Sequence, residues 1–270
     1  MKKLIFFVVI AAALVGCEES SPLLPEVEQV VVQAYLYANE PVTDIQLTTT
    51  YAITSDDTIG APINDAVVAL EKNGRIYPLV LTPGDSGYYH YAGNDLEVKI
   101  GDKFTIRCEY NGEAITGETV IPSSPQNVKM SSDRFVIDTS TLGGFFGDTS
   151  SVTVTWELES EKNYYFVVIE NTEPALEYID ARFGSQFNRF GSFRSRPLQD
   201  NEYVIRRFDL TYKGKHEVRV YRVNQEYADL YEFGLQDSRN LNEPKTNIKN
   251  GLGVFAGFSS AATRFTVETK

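Results

Sequence analysis

The run Phe104-Thr-Ile-Arg-Cys-Glu-Tyr-Asn-Gly-Glu-Ala-Ile-Thr-Gly-Glu-Thr-Val-Ile121 decides the fold class. Two alternating stretches, Phe104 to Tyr110 and Ala114 to Ile121, meet at Asn111-Gly112, a dipeptide that accepts the positive φ angles of a tight hairpin turn. The same grammar occurs upstream, where Ala66 to Glu71 and Arg75 to Leu81 flank Asn73-Gly74. Val27 to Tyr37 is β-branched and aromatic, and its Val30-Val31-Val32 suits burial on both faces. Ile45 to Ile53 contains Thr48-Thr49-Thr50-Tyr51, a composition that fits a pleated surface and disfavours helix. About seven short strands with regular turns between Glu26 and Pro122 predict a Greek-key sandwich.

The chain has 270 residues, too many for one immunoglobulin-sized sandwich and enough for two. Ile121-Pro122-Ser123-Ser124-Pro125 marks the boundary, because proline cannot donate within a central ladder. In the second half, strands are expected at Val128 to Ile137, Val152 to Leu158, Tyr164 to Glu170, Val204 to Tyr212 and Glu217 to Val223. Gly214 suits a hairpin between the last two. Leu252 to Phe258 and Arg264 to Glu268 read as the final strands. One helix is expected over about 225–237, where Tyr227, Leu230, Tyr231, Gly234 and Leu235 keep a helical period behind Asn224 as N-cap. The first half, with Pro62-Ile-Asn-Asp-Ala66-Val-Val-Ala-Leu and Gly87-Tyr88-Tyr89, resembles carboxypeptidase-regulatory-like or transthyretin-like sandwiches. The expected fold is mainly β: two consecutive immunoglobulin-like or transthyretin-like sandwiches, 26–122 and 126–270, with one short helix in the second.

The first residues read differently. Met1-Lys2-Lys3 is a positive n-region, and Leu4 to Val15 is an unbroken apolar run, too short for the roughly 20 residues a bilayer needs. It ends in Leu14-Val15-Gly16-Cys17, which resembles a bacterial lipobox. Residues 1–16 are therefore expected to be a lipoprotein signal peptide, 17–25 a tether, and Cys17 the acylated membrane anchor. Cleavage takes the formal net charge from −12 to −14, since two lysines and no acid are removed. It leaves Cys108 as the only thiol, alternating with Ile106 and Tyr110 as a small strand residue does. Glu18-Glu19 resembles the export signal of some Bacteroidota surface lipoproteins and reads equally as a solvated linker. The expected location is the outer membrane, on its periplasmic face or at the cell surface.

The stretch Asn242-Glu-Pro244-Lys-Thr-Asn247-Ile248-Lys-Asn250-Gly251-Leu-Gly253-Val-Phe255-Ala-Gly257-Phe258 follows the tyrosine-rich helix. It resembles the C-terminal signature of a Bacteroidota lipoprotein family catalogued as a domain of unknown function, in which a proline precedes Asn-Ile and Gly-x-Gly-x-Phe. The resemblance covers essentially the whole mature chain. It implies a protein often encoded beside TonB-dependent outer-membrane receptors, and it carries no catalytic residues to transfer. Physically, Gly251, Gly253 and Gly257 permit close backbone approach. A phosphate loop would need a helix directly after the glycines, whereas Val254 and Phe255 begin a strand.

Chemistry-bearing patterns are few. The 37 acidic residues against 25 Lys plus Arg disfavour nucleic acid, whose phosphates demand surplus cations. Two Cys and two His leave no Cys/His zinc set, and no cofactor is expected. Either His90 or His216 would have to serve as base in a triad, and both read as ordinary strand residues. Asp56-Asp57 lacks the spacing of a calcium loop, and Asp57-Thr58-Ile59 matches a short O-glycan acceptor pattern. A carboxylate pair for glycan hydrolysis stays open, because sequence gives no separations.

Ala181 to Gln199 departs from the acidic average: it holds Arg182, Arg189, Arg194 and Arg196 and no acid. Within it Arg182-Phe183-Gly-Ser recurs as Arg189-Phe190-Gly-Ser, with Phe193 following. Two readings stand. The arginines pair with nearby acids and the rings form a satellite core, or the stretch is a recognition loop rich in hot-spot residue types. Gly143-Gly144-Phe145-Phe146-Gly147 is a second loop with surplus apolar residues. The functional expectation is a membrane-anchored binding or accessory module for a TonB-dependent receptor or its ligand. An envelope glycan hydrolase and a purely structural envelope protein are the alternatives.

Overall fold

The computed structural model describes residues 29–50, 60–140, 149–160, 162–182, 192–233 and 245–270. The first half contributes β1 (Val30–Tyr37), β2 (Asp44–Thr49), β3 (Val67–Lys72) and β4 (Arg75–Pro78). It continues with β5 (Val80–Leu81), β6 (Tyr88–His90), β7 (Lys103–Tyr110) and β8 (Glu113–Val120). The second half holds β9 (Gln126–Met130), β10 (Arg134–Ile137), β11 (Ser151–Glu157), β12 (Tyr164–Asn171) and β13 (Ser192–Arg194). After β14 (Glu202–Arg206) and a 3-10 turn come β15 (Gly214–Val223) and α1 (Gln225–Phe233), the one α-helix among the described residues. β16 (Ile248–Lys249) and β17 (Leu252–Thr269) end the chain.

The mainly β class stands, and both asparagine-glycine turns form: Asn73 and Gly74 take φ of 52° and 77°, Asn111 and Gly112 φ of 51° and 81°. Three sheets form among the described residues. A nine-stranded sheet runs β13-β12-β15-β17-β1-β2-β6-β5, with β10 also pairing β17. A five-stranded sheet, β16-β8-β7-β3-β4, and a three-stranded sheet, β14-β11-β9, complete the fold. Alternation assigns the faces. Val32, Ala34, Leu36 and Phe255 of the large sheet pack with Leu70, Phe104, Ile106 and Cys108 of the five-stranded sheet. Phe265, Val267, Val218 and Val220 pack with Val152, Val154 and Trp156 of the three-stranded sheet. Each half is thus a two-sheet sandwich, and both sandwiches draw one layer from the same sheet.

The C-terminal segment 245–269 joins them. β17 pairs in parallel with β1, from Val31 opposite Leu252 to Tyr37 opposite Phe258, and its later part pairs with β15 and β10. β16 adds to β8 across the sandwich, so the turn between β16 and β17 straps the open edge of the first core. Asn247 fixes the strap: its amide donates to the carbonyls of Glu118 (3.0 Å) and Phe255 (2.7 Å) and accepts from the Phe255 N–H (2.9 Å). Ile248 and Phe255 fill the first core. Gly253 sits at φ 105°, where a Cβ would stand 2.0 Å from the Val32 carbonyl oxygen. Asn247, Ile248 and Phe255 thus close the first sandwich.

Several sequence expectations shift. The two final strands are one continuous strand, β17. The expected Val128–Ile137 strand breaks at Ser131–Asp133, where the Ser132 hydroxyl bonds the Arg134 backbone, so β9 and β10 enter different sheets. Arg75–Leu81 splits similarly into β4 and β5. No hairpin joins the strands around Gly214: β14 pairs with β11, whereas β15 lies between β12 and β17. The helix begins at Gln225 as expected, and the Asn224 amide nitrogen donates to Thr119 Oγ1 (2.8 Å) and the Val120 carbonyl (3.0 Å), tying the helix start to β8. Residues 234–237 of the expected helix lie outside the described residues.

Candidate functional site

The face of the nine-stranded sheet opposite both cores carries α1 and a band of aromatic residues. Because side chains alternate, Tyr35 and Tyr37 of β1, Phe166 of β12, Tyr221 of β15 and Phe258 of β17 all emerge on this side. Neighbouring strands hold their rings like books on a shelf. Phe166 and Tyr221 stack at 4.7 Å and 8°, and Tyr37 stacks on Phe258 at 4.8 Å. Tyr37 meets Tyr221 edge-on at 6.2 Å. From α1, Tyr227 packs edge-on against Phe258 and Tyr35. Such contacts add about 0.5–1.5 kcal/mol per pair beyond burial.

A cation and a carboxylate bracket the shelf. The Arg194 guanidinium lies 4.6 Å over the free side of Phe166 and donates to the Tyr227 hydroxyl at 3.3 Å. At the other end the Tyr37 hydroxyl donates to Asp44 Oδ2 at 3.4 Å. Burial, then the Asp44 charge, pushes the Tyr37 phenol above its ordinary value, with Arg194 opposing. Burial also raises the Asp44 carboxyl, against the Tyr37 hydrogen bond. Burial raises Tyr221 as well. At neutral pH the row therefore offers neutral phenols beside a permanent cation, a set suited to recognition. Further along the same face, Glu217 accepts from Arg219 (2.5 Å) and Arg264 (3.1 Å).

Among the described residues of the arginine-phenylalanine stretch, only Arg194 reaches this shelf. Arg182 turns away: its Nε donates to Asp180 Oδ1 at 2.9 Å and its Nη2 to the Thr139 carbonyl at 2.9 Å. The Arg182 hydrogen bond holds the buried Asp180 carboxyl below the usual range. Phe193 is half-buried against the second core, 5.8 Å from the Tyr203 ring. Arg196 is exposed. Phe183, Arg189, Phe190, Cys17, Asp56, Asp57 and the Gly143–Gly147 loop lie outside the described residues.

The histidines are placed elsewhere. His216 is buried, stacked on Phe265 at 5.3 Å, with Nδ1 3.0 Å from the Gly214 carbonyl. Burial lowers its pKa. His90 Nδ1 lies 2.9 Å from Thr82 Oγ1. Cys108 is buried in the first core, and burial pushes its thiol up to about 12. Such a thiol supplies no thiolate at neutral pH. Among the described residues no group of three His, Cys, Asp or Glu is placed to hold a metal ion.

The shelf itself was missed by motif reasoning, since no local pattern names it. The one available signal was tyrosine at outward positions of period 2, as at Tyr35 and Tyr37.

No curated protein matches the sequence. A solved structure, domains A168–A170 from titin, is similar over 89% of this chain and 66% of that chain, at 15% identity. Its TM-score of 0.22 is too low a likeness to bear on fold or function. A family model described as a domain of unknown function, DUF4249, matches residues 18–264. The chain belongs to the DUF4249 family.

Proposed function

We propose that the protein is a membrane-anchored envelope lipoprotein that binds a partner through the aromatic-arginine face of its nine-stranded sheet. Cys17, with the apolar leader before it, supplies the anchor. The partner this reading commits to is a TonB-dependent outer-membrane receptor, for which the chain acts as an accessory module. The observation that carries the reading is the row Arg194–Phe166–Tyr221–Tyr37–Asp44, which crosses the sheet beside α1. Tyrosine and arginine are the side chains that concentrate binding energy at protein interfaces, where loss of one often costs 2 kcal/mol or more.

The test is co-purification of the receptor with the full chain from detergent-solubilised outer membranes. Arg194→Ser with Arg196→Ser is expected to weaken recovery at least tenfold, while stability changes by about 1 kcal/mol or less, as at exposed cation–π sites. Cys17→Ala should release the protein into the soluble fraction. Receptor recovered equally with the double arginine variant would overturn docking through this face, and membrane retention of Cys17→Ala after a salt wash would overturn anchoring.

A further inference from the structure

We propose that the same sheet carries, at its far end, a site for a phosphate group centred on Thr266. The site stands apart from the aromatic shelf and does not depend on receptor docking. Arg134 of β10 and Lys215 of β15 lie directly opposite Thr266 on its two flanking strands. Arg264 and Glu268 are two residues before and after it, so alternation puts all five side chains on one face. They line an open groove of about 560 Å³, together with Thr172, whose hydroxyl donates to the Lys215 carbonyl at 3.2 Å, and Asp133, a second acid.

The charge arrangement points to a ligand. Three cations surround one threonine hydroxyl on a chain whose formal charge is −12. Like charges on neighbouring strands repel, and local compensation is thin. Glu268 approaches Arg134 only to 3.8 Å, with both largely exposed. Arg264 shares Glu217 with Arg219. Lys215 has no ion pair among the described residues, although its backbone N–H is held by Glu173 at 2.9 Å. A tetrahedral oxyanion over Thr266 would take the ammonium, two guanidinium edges and a hydroxyl as donors, a geometry arginine forks suit. Asp133 and Glu268 in the lining oppose a polyanion, so the site fits a single phosphate, either free or on a lipid headgroup.

The experiment is calorimetric titration of the full chain, in low salt, with inorganic phosphate and with a soluble short-chain phosphatidate. Binding should weaken tenfold or more for Lys215→Gln and for Arg134→Gln, the scale of one lost charge-assisted contact. Glu268→Gln, which removes opposing charge, should tighten it severalfold. Lys249→Gln, on β16 at the other sandwich, should leave it unchanged. A tenfold preference for one probe assigns the source, headgroup or free phosphate. Binding of neither probe, equal binding by Lys215→Gln and Arg134→Gln, or equal weakening by Lys249→Gln overturns the site.

Discussion

On β17, Phe255 and Phe265 point into the two sandwich cores and are buried, whereas Arg264, Thr266 and Glu268, on alternate positions of that strand, line an open charged groove. β1 repeats the division, with Ala34 and Leu36 sealed in the first core and Tyr35 and Tyr37 half-buried on the other side. One set of strands therefore serves two purposes at period 2. The core-facing residues are constrained by volume, because a close-packed interior registers even one methylene. The opposite face is constrained only by what it meets, so it tolerates arginines, phenols and carboxylates that a core would reject.

The largest expected effect tests the core side. Phe255→Ala removes a fully buried ring from the first core and should cost about 3–5 kcal/mol in denaturant unfolding. Because Phe255 arrives on the C-terminal strap, hydrogen exchange in β7 and β8 should quicken with it. A small loss, confined to β17, would break the claim that the strap completes the first sandwich.

A middle-sized effect separates two arginines that the sequence makes equivalent. Arg182→Ser strands the buried Asp180 carboxylate and should lower melting by a few degrees, on the order of 1 kcal/mol in a chain this long. Arg196→Ser, at an exposed position, should leave melting within about 0.5 kcal/mol of wild type. Equal melting for the two would mean that Arg182 holds nothing.

The smallest effect concerns His216, on the core side. Burial depresses its folded pKa below the ordinary value near 6.5. Between the two values the unfolded chain binds a proton that the folded one refuses, so stability is complete above that ordinary value and declines as pH falls toward the folded pKa. Melting of the wild type should therefore drop from pH 7 to 5 more than that of His216→Gln. Asp44 and Asp209, raised by burial, act in the opposite sense in both proteins and leave the difference to His216. An identical slope in the two would refute the burial argument.

Local signals carried much of the fold. Asn73-Gly74 and Asn111-Gly112 specified their hairpins because positive φ at consecutive residues admits few side chains. Alternation placed Val152, Val154 and Trp156 inward, and period 3.6 located α1 at Gln225. The glycines before Phe255 were readable as sites of close backbone approach, and Gly253 against Val32 is such a site. Less of the candidate site was readable. Arg194 was flagged by its charge and composition, yet so was Arg182, and nothing in the stretch distinguishes the one over Phe166 from the one holding Asp180.

By itself, then, the sequence determined strand grammar, turn chemistry and the helix start, all written within a few residues by φ preference and hydrophobic period. Tertiary structure alone decided that β17 lies between β15 and β1, and so that one sheet serves both sandwiches. Strand partners far apart in sequence are chosen by the joint burial of faces, a quantity no local window contains. The aromatic shelf and the cross of charges around Thr266 inherit that choice. Tyr37, Tyr221 and Phe166, or Arg134, Lys215 and Arg264, become neighbours only once the register of the strands between them is fixed.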